Sequence, residues 1–102
     1  MKKRTFTKKD IVKRVASQTS SSYDQTAPYV NEIFGVIREM MSRDYDNIRI
    51  EVRNFGVFEV KPTKAKPRAR NPRTNEEVYV PAHKKSHFKP GKLLKQHLKQ
   101  PI

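Results

Sequence analysis

Residues 61–73, KPTKAKPRARNPR, carry six basic side chains and three prolines and no acidic residue. They lie inside the chain, between one strand-like run over 57–61 and another that starts at 77. A basic run at a chain end is usually a disordered tail. A basic run that leaves a strand, turns at Asn71-Pro72 and returns as a strand is a projecting hairpin. Such a hairpin has the charge and shape to enter a nucleic-acid groove.

The rest of the composition agrees with a charged binding surface. The chain has 102 residues, is 34 % hydrophobic and carries a formal net charge of +13. Its mean hydropathy of −0.91 is low for a single domain that must bury its own core. Much of the burial is therefore expected from a partner chain. Residues 1–60 hold 11 Lys/Arg against 8 Asp/Glu, whereas residues 61–102 hold 12 against 2. The excess charge is thus concentrated around and after the hairpin, which favours nucleic acid, an anionic membrane or an acidic protein as partner.

Cysteine is absent, which removes disulfides, thiolate zinc sites and cysteine nucleophiles. No apolar run approaches the roughly 20 residues that span a bilayer. Met1-Lys2-Lys3-Arg4 is followed by polar residues rather than a signal-peptide core. A cytoplasmic, soluble protein is expected.

Thr7 followed by Asp10 resembles a capping box, with the hydroxyl accepting from the Asp10 amide, and predicts a short helix over 8–18. Ile11, Val12, Val15 and Ala16 share one of its faces. After a polar link over 19–22, a longer helix is expected over 23–43. Its apolar residues Tyr29, Val30, Ile33, Phe34, Val36, Ile37, Met40 and Met41 make an arc wider than one core-facing stripe. A short first helix cannot cover that arc, so a second subunit is the natural cover. Pro28 requires either a late start, with Thr26 as cap, or a bend.

Asp44-Tyr45-Asp46-Asn47 is turn chemistry. Ile48, Ile50 and Val52 then alternate with Arg49, Glu51 and Arg53, as in a half-buried strand. Asn54-Phe55-Gly56 turns into a second strand over 57–61, with Phe58 and Val60 inward. The returning strand is read over 77–82, continuing past Pro81 toward Phe88. Pro62, Pro67 and Pro81 belong on edges or irregular arms, since each removes a ladder donor. Pro90-Gly91 opens a last helix over 92–99, with Leu93, Leu94 and Leu98 inward. The expected fold class is α+β: two helices, a three-stranded antiparallel sheet with an extended β-arm, and a short final helix, without internal repeats.

Three motifs in order, Phe55-Gly56-Val57-Phe58, Arg70-Asn71-Pro72-Arg73-Thr74 and Phe88-Lys89-Pro90-Gly91-Lys92, resemble the signature of the bacterial HU and integration host factor family. The resemblance runs from about residue 7 to 98. It implies an intertwined dimer with a helical base over 1–47, a sheet over 48–88 whose arm spans about 61–80, and a final helical segment over 89–102. It also implies arms that wrap double-stranded DNA in the minor groove and a proline at each tip that wedges between base pairs, a mode general to such minor-groove binders. That role falls on Pro72. The chain departs from the family pattern at Asn75, where glycine is common, at Lys85-Ser86, in a longer link from helix to first strand, and at Pro28.

On this reading Lys61, Lys64, Lys66, Arg68, Arg70, Asn71 and Arg73 contact phosphates and the groove floor. The plain alternative is a solvated loop. Pro72 taken alone is a turn former. Lys84, Lys85, Lys89 and Lys92, with the amino end of the last helix, are candidates for phosphate contacts on the flank, and Lys2, Lys3 and Arg4 for weaker ones. Phe55, Phe58 and Phe88 fit a core better than base stacking. His83 and His87 have the spacing of a metal pair only if helical, and they fall in a strand region without a third ligand. No catalytic constellation is visible. The expectation is therefore an architectural, nucleoid-associated protein that needs no cofactor and bends DNA with little sequence preference. A sequence-specific bender is the alternative, as is pairing with a paralogue instead of a homodimer.

Overall fold

In a computed structural model, which describes residues 2–102, Thr7 and Asp10 start the first helix, α1 (Lys8–Gln18). Asp10 Oδ2 accepts from the Thr7 amide at 2.8 Å and from the Thr7 hydroxyl at 3.1 Å. The hydroxyl thus donates to the carboxylate, and the Asp10 amide bonds the Thr7 carbonyl at 3.0 Å instead. These two donations, the amide's first, hold the Asp10 carboxyl below its usual value.

The second helix, α2 (Tyr23–Met41), starts at a reciprocal box that links Ser22 and Gln25. The Gln25 amide donates to Ser22 Oγ at 3.1 Å, and the Ser22 amide to Gln25 Oε1 at 3.2 Å. Thr26 is therefore not the cap. It lies inside the helix, buried, with its hydroxyl donating to the Ser22 carbonyl at 2.8 Å. Pro28 stands in the sixth position and supplies no amide to the Asp24 carbonyl, yet the helix continues through it. Within residues 2–42, Val12, Ala16, Thr26 and Val30 are buried. Tyr29 is 75 % exposed and Ile33 57 %, and Phe34, Val36 and Met40 are also open. The apolar arc of α2 thus exceeds what α1 covers.

Residues 43–102 form a second unit. Here β1 (Ile48–Val52), β2 (Gly56–Pro62) and β5 (Lys84–Pro90) make an antiparallel sheet in the order β1-β2-β5. Ile50 lies opposite Phe58 and Phe58 opposite Phe88. Phe55, Phe58 and Phe88 form a ring cluster with centroids 5.0 to 6.2 Å apart. Gly56 is required where this cluster meets the backbone, because a Cβ there would sit 2.5 Å from the Lys89 carbonyl oxygen and 2.6 Å from Phe88 Cζ. The turn before it uses Asn54 at φ 66°, a left-handed conformation that asparagine tolerates.

The arm is a separate two-stranded sheet, β3 (Lys66–Arg70) paired antiparallel with β4 (Glu77–Val80). The single returning strand read past Pro81 is therefore two strands. Pro81 gives no ladder donor, and residues 81–83 interrupt the pairing. The gap is bridged by Thr63, whose amide donates to the His83 carbonyl at 2.7 Å. Lys66 pairs with Val80 but Ala69 with Val78, so β3 holds one residue more than β4 in that span. Pro67 falls in this bulge, where no donor is needed.

The final helix, α3 (Lys92–Leu98), follows Gly91, whose amide donates to the Phe55 carbonyl at 2.8 Å. Leu94 is half-buried, but Leu93 and Leu98 are 62 % and 65 % exposed rather than packed inward. Seven residues form barely two turns, and only a narrow stripe of them meets the unit's own sheet.

Candidate nucleic-acid interface

Strand alternation divides the three-stranded sheet into an apolar face and a charged one. Arg49, Glu59 and His87 lie in one cross-strand row, with Lys61 opposite Lys85 and Val57 opposite Lys89 on the same face. Glu59 is only 2 % exposed. Its carboxylate is surrounded by Lys89 Nζ at 2.9 Å, Lys61 Nζ at 3.3 Å and Arg49 Nη1 at 3.6 Å. One anion therefore gathers a cation from each of the three strands, each with about half of its side chain still in solvent.

The Lys89 ammonium is the main cause that holds the Glu59 carboxyl below its ordinary value, against burial, with Lys61 adding to it. A carboxylate depressed in the folded state contributes stability that is complete above the ordinary value of 4.5 and is lost as pH falls through the lower folded value. Asp10 acts in the same direction. Urea unfolding of the wild type and Glu59→Gln between about pH 6 and pH 3 isolates the Glu59 share. The wild type is expected to be the more stable at pH 6, with the difference shrinking toward pH 3; a constant difference would contradict this origin.

The candidate cations do not form one patch. Lys61, Lys85 and Lys89 share the charged face of the sheet. By alternation Lys84 lies on the other face, with its ammonium 3.8 Å from Asp44. Lys92 is exposed at the start of α3. Lys64, Lys66, Arg68, Arg70 and Arg73 are exposed along the arm. Arg49 belongs to the sheet-face cluster but was not among the candidates from the sequence. Its signal was the alternation of Ile48, Ile50 and Val52, which puts Arg49 on the solvent face, with the register to Glu59 as the missing piece.

At the arm tip, residues 71–76 make a tight hydrogen-bonded loop. The Asn75 amide donates to the Asn71 carbonyl at 2.7 Å and the Asn71 amide to the Glu76 carbonyl at 2.9 Å. Asn71 Oδ1 accepts from the Arg73 amide at 2.9 Å. Pro72 sits exposed at the apex, between Arg70 and Arg73. Asn75 has φ 58°, and its Oδ1 accepts from Arg70 Nη1 at 3.1 Å. His83 is tied to the arm root, with Nδ1 2.9 Å from the Pro81 carbonyl oxygen and 3.2 Å from Thr63 Oγ1. No group of three metal-ligating side chains occurs among the described residues.

A small basic α+β chain with a charged sheet face and a cationic two-stranded arm defines a nucleic-acid-binding class of protein. Residues 6–99 match the family model described as bacterial DNA-binding protein. The chain is 35 % identical over 92 residues to the SPbeta prophage-derived DNA-binding protein HU 2 of Bacillus subtilis, covering 90 % of this chain and 96 % of that one. It is 32 % identical over 98 residues to DNA-binding protein HU of Thermus thermophilus, covering 96 % and 97 %. The fold superposes on an Anabaena HU–DNA cocrystal structure with a TM-score of 0.79 and 29 % identity, over 94 % of this chain and 100 % of that one. The chain belongs to the bacterial DNA-binding protein family, that of HU and integration host factor.

Proposed function

We propose that two copies of this chain form an architectural protein that binds double-stranded DNA in the minor groove and bends it with little base specificity. The observation that carries this reading is the arm, a basic two-stranded sheet that ends in an exposed proline between two arginines. Pro72 is the wedge, unstacking one base step, while Arg70, Asn71 and Arg73 hold the groove beside it. Lys61, Lys64, Lys66 and Arg68 follow the groove or its phosphates along the arm. Arg49, Lys85 and Lys89 on the sheet face, with Lys84 and Lys92 at its flank, contact the backbone of the bent duplex.

The open apolar arc of α2 supports the second copy, since Tyr29, Ile33, Phe34 and Met40 would otherwise meet water. A paralogue with the same arc could take the second place. The family and this charge distribution support a nucleoid-associated location and a structural rather than an enzymatic role. No helix among the described residues is long and apolar enough to cross a membrane.

The test uses a duplex labelled at both ends, with energy transfer read as protein is added. The expected result is a rise in transfer that saturates at one dimer per duplex, with much weaker binding to a duplex RNA of equal length, whose minor groove is wide and shallow. Equal binding to both duplexes without a change in end-to-end distance would overturn the reading.

A further inference from the structure

At the arm tip the exposed side-chain donors are carried by Arg70, Arg73 and Asn75, and the one carboxylate of the loop is Glu76. Arg70 and Arg73 only donate. Asn71 Oδ1 is engaged by the Arg73 amide at 2.9 Å, and Thr74 Oγ1 accepts from the Glu76 amide at 3.4 Å. Asn75 Oδ1 is engaged by Arg70 Nη1 at 3.1 Å, and the same nitrogen lies 3.5 Å from the Asn75 carbonyl oxygen. Because a guanidinium cannot accept, the Asn75 amide orientation is set: oxygen toward Arg70, nitrogen away. Among the described residues Asn75 Nδ2 has no partner, and the side chain is exposed.

The backbone at Asn75 is also left-handed, with a φ of 58° in the region that glycine occupies without strain and asparagine only tolerates. A side chain is kept here at a conformational cost, and what it contributes in this fold is the Arg70 contact and two outward N–H groups.

The minor-groove edges of base pairs differ in just this chemistry. A·T and T·A present only acceptors, adenine N3 and thymine O2, whereas G·C adds the donor amino group on guanine N2. The free N–H groups of Asn75 and Arg70 meet acceptors at A·T and meet another donor at G·C. We infer that Asn75 is a specificity-determining residue, which makes the arm tip select against the guanine 2-amino group at the step where it inserts. This rests on the minor-groove reading above and deepens it: binding is tolerant of sequence along the arm and selective at the tip. Asn75 acts in two ways, through its own Nδ2 donors and by holding Arg70 Nη1 at the tip.

The experiment compares three alternating polymers, poly(dA-dT), poly(dI-dC) and poly(dG-dC), at one salt concentration. Inosine is guanine without the 2-amino group, so the second and third polymers differ in the minor groove by that group alone. The wild type should prefer poly(dI-dC) to poly(dG-dC) by about five- to tenfold, the lower range of one good base contact. Asn75→Gly takes the left-handed conformation without strain and should keep the tip turn, visible in its amide NMR spectrum, while the preference falls below about twofold. Asn75→Asp retains an acceptor for Arg70 but has no N–H to offer, and its preference should also fall. An equal preference in wild type and both variants, or none in the wild type, overturns the role of Asn75 and leaves DNA bending standing. A wild type that binds none of the polymers overturns both.

Discussion

Raising salt from about 50 to about 200 mM should weaken binding to duplex DNA by roughly 10³–10⁵-fold, as for a protein that makes about 6–10 phosphate contacts. The reason is counterion release: each phosphate neutralised by Lys or Arg frees condensed cations, and added salt opposes that release. The surface described here carries enough cations for such a slope, with Lys64, Lys66, Arg68, Arg70 and Arg73 on each arm and Arg49, Lys61, Lys85 and Lys89 on each sheet face. Three of the sheet-face cations already share the Glu59 carboxylate, so they contribute less than three free charges would. Titrations with an anisotropy-labelled duplex at four or five salt concentrations give the slope directly. A slope near zero would remove the electrostatic account and with it most of the proposed interface.

Replacing Pro72 by alanine should leave duplex binding within about tenfold of wild type while end-to-end energy transfer falls most of the way back to that of the straight duplex. A wedge unstacks a base step at a cost of a few kcal/mol, offset by the added contacts of the bent duplex. If the Pro72 ring is the proposed wedge, alanine is too small to replace it, so the kink would lose its cause while the arm cations remain. The tip does not depend on the proline for its shape, because Asn71 holds the turn through the Arg73, Asn75 and Glu76 backbone groups. Loss of bending is therefore separable from loss of the loop. Unchanged transfer in the variant would show that bending arises from the cationic faces and not from the wedge.

The arm and the start of α1 were readable from local chemistry. Asn71-Pro72 in a basic run between strands marked the tip, and Thr7 with Asp10 marked the beginning of α1. The Ser22-Gln25 box was just as local, but it lay in what read as a plain polar link, and Pro28 left a late start at Thr26 and a bend both open. Hydrogen bonds at the true start, together with continued helix on either side of Pro28, decide that case. The unbroken strand past Pro81 failed for a different reason. Alternation cannot show that residues 81–83 lack a partner, since pairing belongs to two segments at once.

Chain chemistry alone established the class of the protein: an α+β fold, a cationic hairpin with a proline at its apex, and an apolar helix face too wide for one chain. These follow from spacing, charge and turn preferences, which act over a few residues. Tertiary structure decided which charges act together. Only the register of β1, β2 and β5 brings Arg49, Lys61 and Lys89 onto Glu59, and only the closed tip loop turns the Asn75 oxygen to Arg70 and its nitrogen outward. The first joins residues from three strands, where the distance in space is set by pairing and not by separation along the chain, and the second follows from closure of the loop between Arg70 and Asn75.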